Sequence, residues 1–306
     1  MPVASVIMPC FNHARFLRDS AQGILGQSEP DLELIIVDDC SSDDSWEIIQ
    51  AIAKLDRRAK AIRHARNQGA SRSRNDGLRV ATGKFIGFCD ADDIWERNKL
   101  RAQVELLEAN ADYHVAYSDA AIVDENGSPT GQRFGQRFAP PTNPSGWLFP
   151  DLIRGNFINM QSVLLRKECV ARVGSFDEGI KWVEDWWYWV KMSRHYQFLY
   201  SPEILAKYRV HSNSTSIVQR RGYCLNRYKV LRKVLNEFAD IPGPAKADLF
   251  YQMGFELCAL GKRKAGRRFF GDSIKAAGAD REALGTLWRA VVRMIIGRRR
   301  VAVTRV

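Results

Sequence analysis

The chain has 306 residues, of which 45% are hydrophobic and 26% charged, and its formal net charge is +11. This balance excludes a collagen, a disordered tail and a disulfide-stapled miniprotein; a chain of this size buries about three-quarters of its unfolded surface and needs no metal or disulfide merely to fold. No uncharged apolar run is long enough to span a bilayer, and residues 1–6 carry neither a basic region nor a long apolar stretch, so neither a transmembrane helix nor a secretory signal is expected. The six cysteines lack CxxC spacing and read as reduced thiols of a cytoplasmic protein.

The first 120 residues alternate short apolar runs with helical patterns. Residues 3–8 (VASVIM) read as a buried strand and 14–25 as the helix after it. A second strand over 34–37 ends in Asp38-Asp39, and Ser42 or Asp43 can cap a helix over 44–55. A weak strand at 61–64 leads through Asn67-Gln68-Gly69 into a helix ending near Ala81. Residues 84–89 form a fourth strand, 96–108 an amphipathic helix and 115–117 a fifth strand. Strand-helix-strand at this spacing implies an α/β protein with a parallel sheet flanked by helices, whose ligands bind beyond the carboxyl ends of the strands. Residues 126–150, rich in Gly, Pro, Ser, Thr and Asn, read as a long loop. A strand at 163–165, a short helix from Glu168, an aromatic helix over 183–196 and a strand at 206–210 follow.

Beyond about residue 220 the pattern is helical. Cys224, Tyr228, Leu231, Leu235 and Phe238 share one helical face, Ile241-Pro242-Gly243-Pro244 breaks it, and helices near 248–260 and 264–276 form a hairpin at Gly261. A last helix is expected over 281–296. The charge is concentrated here: residues 220–306 hold 20 Lys and Arg against 7 Asp and Glu, whereas residues 1–219 hold 26 against 28. Nucleic acid, an anionic membrane surface and a solvated basic face all suit such a segment.

The strand ends carry the chemistry. Asp90-Ala91-Asp92 and Asp93 close the apolar strand FIGFC, and carboxylates at the end of a buried strand are costly unless a cation neutralises them. Oxygen ligands at this spacing suit Mg²⁺ or Mn²⁺ with a bound phosphate; the plainer alternative is that Asp92 or Asp93 caps the following helix. Asp38-Asp39, on the same expected sheet edge, could accept hydrogen bonds from a base or a ribose, or could itself be a cap. Glu184-Asp185 opens a helix set among Trp182, Trp186, Trp187, Tyr188 and Trp189. A carboxylate among rings tends toward a raised pKa, which suits a general base, although acids also favour any helix start. His211 closes a strand and precedes a polar run to Ser216; a lone histidine is more often structural than a ligand.

Together these segments resemble the family 2 glycosyltransferases with the GT-A fold. The resemblance is carried by VASVIMPCFN, ELIIVDDCSSDDSWEII, NQGASRSRNDG, GKFIGFCDADD, VEDWWYW and YRVHSNSTS, in that order over residues 1 to about 217. It implies a GT-A catalytic domain at 1–219, with a nucleotide-sugar half to about 120 and an acceptor half beyond, followed by a basic helical region at 220–306. It further implies an inverting transfer of a sugar from a nucleotide-diphosphate donor, with UDP-sugars favoured, to an acceptor hydroxyl in bacterial-type surface polysaccharide or glycoconjugate synthesis. By similarity, Pro9, Phe11, Asn12 and Asp39 hold the base and ribose with Asp38 supporting, Arg74 and Ala91 lie near the nucleotide, and Asp90 and Asp92 form the DxD. Asp92, with Asp90 and His211, holds Mn²⁺ or Mg²⁺. Asp185 of the Glu184-Asp185 pair is the base, and Trp182 and Trp186 form an acceptor platform. The acceptor would be a saccharide or a lipid-linked saccharide. Peripheral contact with the inner face of the membrane, through the basic last helix, is expected, and no nucleic acid. Two other readings compete. A sugar-nucleotide nucleotidyltransferase would need a Gly-rich basic loop where this chain has Pro9-Cys10-Phe11-Asn12-His13; a non-catalytic nucleotide-binding protein would have no use for Asp92, Asp185 and His211 together.

Overall fold

Seven consecutive buried residues make β1 (Ala4–Cys10) a central strand, and β2 (Leu32–Asp38) is equally buried along its length. Unbroken apolar runs of this kind suit strands covered on both faces. β1 pairs in parallel with β2 and with β4 (Phe85–Phe88), and β2 with β3 (Ala59–Arg63). The structure, a computed structural model, describes residues 1–137, 141–212 and 220–278. The helix expected over 281–296 and the polar run at 213–216 lie outside the described residues.

The helices α1 (Ala14–Leu25), α2 (Ser45–Leu55) and α3 (Ala70–Val80) connect these strands. Side chains of β1 alternate between faces. Val6 and Met8 join a cluster with Leu17, Ala21 and Ile24 of α1, Ile49 of α2 and Leu100 of α4 (Lys99–Ala109). Ile7 points the other way, toward α3, where its methyl would stand 2.5 Å from a Cβ placed on Gly77. Two short helices, α5 (Phe149–Leu152) and α6 (Glu168–Val173), precede α7 (Glu184–Ser193), and on that second face Phe88 meets Phe176 edge-on and Trp189 of α7. Both faces of the sheet are therefore covered.

The sheet order is β3-β2-β1-β4-β8-β6-β9-β5, with β7 on β6. Parallel pairing runs from β3 to β4. Beyond it the sheet is mixed: β8 (Leu164–Arg166) is antiparallel to β4 and β6, β9 (Gln197–Arg209) is parallel to β6 (Tyr113–Val123), and β5 (Ile94–Trp95) is antiparallel to β9. Three local expectations need correction. The helix after Asp93 starts at Lys99, because Ile94 and Trp95 are drawn into β5, so neither Asp92 nor Asp93 caps it. The 126–150 loop contains β7 (Pro129–Arg133), a fully exposed edge strand whose sequence has no apolar alternation. Strands β6 and β9 are far longer than their apolar runs, because register shifts near Ser118 and Asp119 interrupt the alternation.

The chain divides into two units, Met1–Val218 and Gln219–Val306. The second contains α8 (Arg220–Glu237), α9 (Gly243–Ala259) and α10 (Arg263–Ala277). α9 and α10 meet where Gly254 and Gly266 face each other: a Cβ on Gly254 would lie 2.5 Å from the Phe270 ring and 2.9 Å from the Gly266 carbonyl oxygen. Arg227 of α8 donates to Glu256 and Gln252 of α9. Among the described residues, no helix is long and apolar enough to cross a membrane.

Candidate active site

Because β1, β2 and β4 run in parallel, their carboxyl ends bring Cys10–His13, Asp38-Asp39 and Asp90–Asp93 to one edge of the sheet. The turn after β1 is fixed by its neighbour. Asn12 adopts a left-handed backbone (φ 57°), its amide donates to Ser41 Oγ, and its side-chain oxygen accepts from the Ser42 amide at 2.8 Å. The amides of His13 and Ala14 donate to Ser45 Oγ and Asp43 Oδ2. Phe11 is 44% exposed at this rim, whereas Pro9 is buried within β1. Cys40 and Trp182 are the other non-glycine residues with left-handed backbone among the described residues, both in loops flanking the expected site residues. Strained backbone collects at functional loops.

Asp38 and Asp39 are both buried and both engaged by the chain itself. Asp38 accepts from the Ser41 amide and pairs with Arg63 at 3.2 Å. Asp39 accepts at 2.7 Å from His64 Nδ1 and from the amides of Gln68 and Gly69, so it ties down the loop that leads into α3.

Arg74 joins the two acidic clusters. Its side chain is buried and donates to Asp90 at 2.6 Å and to Glu184 at 2.7 Å. Burial opposes its charge, but the two carboxylates more than restore it and hold its pKa above the ordinary arginine value. Asp90 has its other oxygen on Gln161 Nε2 at 2.9 Å. Burial raises the Asp90 pKa despite Arg74, and the nearby Asp92 adds to the rise.

Asp92 faces a different environment. Its Oδ2 lies 3.0 Å from His211 Nε2 and 3.9 Å from His13 Nε2. One donor atom from each of His13, Asp92 and His211 lies within 4.8 Å of the others. Burial works against the Asp92 charge, yet the His211 hydrogen bond and the adjacent imidazoles win, leaving it below the usual carboxylate range. The donor set fits a divalent cation: two imidazoles and one carboxylate converge. Asp90 is not part of this group. Of the expected ligands Asp90, Asp92 and His211, the last two converge with His13, while the Asp90 oxygens accept from Arg74 and Gln161.

Asp185 sits in the first turn of α7. Oδ1 accepts from the Trp186 amide at 2.7 Å and Oδ2 from Asn156 Nδ2 at 2.8 Å. Burial, reinforced by the neighbouring Glu184 charge, pushes its pKa up to about 7. The acceptor platform expected at Trp186 is overturned: Trp186 is fully buried and its indole N–H donates to the Leu152 carbonyl at 2.6 Å, which makes it core. Trp182, half-buried, remains beside the start of α7. Sequence reasoning missed His13, Asn156, Gln161 and the pair Asp93–Arg209. In that pair Asp93 Oδ1 accepts the Arg209 amide at 2.8 Å, while the Arg209 guanidinium donates to the Asp92 carbonyl at 2.7 Å. Only His13 left a signal, since it follows Asn12 in the turn at the end of β1, the strand that neighbours β4.

The family model described as Glycosyl transferase family 2 matches residues 5–167. The chain belongs to glycosyltransferase family 2. This transferase is 28% identical over 242 residues to TuaG of Bacillus subtilis (strain 168), a glycosyltransferase assigned to teichuronic acid biosynthesis, with 78% of this chain and 88% of TuaG covered. Its fold is GT-A. It superposes on S. aureus TarS 1-349 in complex with UDP-GlcNAc with a TM-score of 0.68 at 21% identity, covering 90% of this chain and 81% of that one. Against the mannosyltransferase PcManGT from Pyrobaculum calidifontis, in complex with GDP-Man and Mn²⁺, the TM-score is 0.62 at 17% identity, with 95% and 80% covered.

Proposed function

We propose that this glycosyltransferase moves a sugar, with inversion, from a nucleoside-diphosphate sugar to an acceptor hydroxyl of a surface polysaccharide or related glycoconjugate. The observation that carries the reading is the Arg74 bridge: one buried guanidinium holds Asp90 of the DxD and Glu184 beside Asp185, so the donor cluster and the candidate base share one polar network. Inversion needs a single base on the face opposite the leaving group, and Asp185, with a pKa raised to about 7, is poised to take a hydroxyl proton near neutral pH. Asn156 and the Trp186 amide fix its two oxygens.

Departure of the sugar leaves charge on the diphosphate. A Mn²⁺ or Mg²⁺ ion held by His13, Asp92 and His211 would neutralise that charge. The Arg74 network keeps Asp90 beside it, and Phe11 offers an exposed ring to the base. Asp39 reaches the ribose only by exchanging one of its three chain donors. UDP is the favoured nucleotide, supported by the TarS complexes, while the PcManGT complex supports GDP as the alternative. TuaG supports the polysaccharide destination. Peripheral attachment to an anionic membrane through the basic residues of 220–306 fits a lipid-linked acceptor.

The test is ¹H NMR of the sugar released when UDP-, GDP- and dTDP-α-sugars are incubated with the protein and Mn²⁺. The β-anomer should appear first from one nucleotide class and vanish in Asp185→Asn. First appearance of the α-anomer, or equal release by Asp185→Asn, would contradict the reading.

A further inference from the structure

His13 lies in the β1–α1 turn, outside the motif residues expected to bind a metal, yet its imidazole is placed as a ligand. The turn fixes its backbone through Ser45, and two amides of α1 cap onto its carbonyl oxygen. Among the described residues no hydrogen bond reaches either ring nitrogen. Nδ1 is buried without a partner, and Nε2 stops 3.9 Å short of Asp92 Oδ2. Nε2 faces Asp92 with no hydrogen bond among the described residues, so it is the ring nitrogen open to a cation. Two donors bound at about 2.1 Å to one ion stand about 3 to 4 Å apart. The Asp92–His211 and His13–Asp92 separations of 3.0 and 3.9 Å fall in that window, and since the three donor atoms lie within 4.8 Å of one another, a bound ion would draw the two imidazoles slightly together.

We propose that His13 is a third protein ligand of the cation and that, by adding a second imidazole, it makes this site select Mn²⁺ over Mg²⁺. The inference rests on the reading above that a divalent cation is held here. Mg²⁺ prefers an all-oxygen shell and sheds its water reluctantly, whereas imidazole nitrogen favours the later divalent ions. Among the described residues the converging donors are one oxygen and two nitrogens, with the Asp90 oxygens engaged by Arg74 and Gln161. A carboxylate in place of His13 would reverse the preference.

The experiment uses the full chain with Mn²⁺ and UDP. Pulsed electron paramagnetic resonance should detect two imidazole nitrogens coupled to bound Mn²⁺ in the wild type and one in His13→Gln. In competition, the Mn²⁺-over-Mg²⁺ affinity ratio should fall about tenfold or more in His13→Gln. His13→Asp, which restores a ligand as oxygen, should bind Mg²⁺ more tightly than His13→Gln does. UDP binding in EDTA checks that each variant is folded. Unchanged nitrogen coupling and an unchanged ratio in His13→Gln would overturn the assignment of His13 while leaving the cation reading intact. Failure of the wild type to bind Mn²⁺ in the presence of UDP would overturn both.

Discussion

Asp185, in the first turn of α7, and Asp92, beyond the end of β4, are shifted in opposite directions by their surroundings. Asp92 is held charged by two imidazoles, whereas Asp185, desolvated and next to Glu184, is pushed up to about 7. A base must be unprotonated to act, so kcat should rise with pH through about 7 and level off above it. Asp185→Asn should lower kcat by about 10²–10⁴-fold and remove that limb. The stability sign is the reverse. Between the ordinary aspartate value of about 3.9 and about 7, the folded state holds a proton that the unfolded chain has lost, so stability from this group falls as pH rises across that interval. Thermal midpoints of Asp185→Asn should therefore depend less on pH between 4 and 7 than those of the wild type. Glu33 is the opposite case. Burial opposes its charge, but bonds from Lys60, Ser5 and Thr82 outweigh it and lower its pKa to about 2. Its contribution is complete above about 4.3 and is lost as pH falls toward 2. Glu33→Ala should cost about 2–4 kcal/mol at neutral pH by urea denaturation, and much less at pH 2. The acids of the site were legible because carboxylates at buried strand ends demand a partner. Asn156 and Gln161 were not, because neutral amides in loops carry no periodicity or charge signature.

At the scale of elements, the helix that carries Arg74 depends on close approach to β1. A Cβ on Gly77 would meet buried Ile7 at 2.5 Å. Alanine gains about 1 kcal/mol in helix propensity, but overpacking a rigid core costs about 1–3 kcal/mol, and here the contact lies far inside normal van der Waals distance. Gly77→Ala should therefore lower stability in thermal unfolding and, by shifting α3, loosen the Arg74 bridge to Asp90 and Glu184. The strands β1, β2 and β4 were legible since each is an apolar run buried on both faces, whereas β3, mostly exposed, left only a weak pattern. β5 was not: two residues carry no pattern, and Ile94-Trp95 become a strand only because β9 lies alongside. The aromatic helix α7 misled for a related reason. Trp186, Trp187, Tyr188 and Trp189 are all fully or nearly fully buried, so these rings beside Asp185 are core, which a sequence pattern alone does not separate from a sugar platform.

For the whole molecule, the parallel half of the sheet ends in Asp38-Asp39 and Asp90–Asp93, while later segments bring Gln161 to Asp90, His211 to Asp92 and Asn156 to Asp185 of α7. This division was only partly legible: strand-helix alternation announces parallel pairing, whereas antiparallel insertion of β8 between β4 and β6 leaves no local trace. The excess positive charge lies in residues 220–306, whereas residues 1–219 are nearly balanced, with 26 Lys and Arg against 28 Asp and Glu. The direct measurement is calorimetric titration of UDP into the full chain with Mn²⁺ or with EDTA, for the wild type and Asp92→Asn. Wild-type affinity should be at least about tenfold higher with Mn²⁺, and Asp92→Asn should bind UDP weakly and equally in both. Equal wild-type affinity with Mn²⁺ and EDTA, or a metal response that survives Asp92→Asn, would contradict the account.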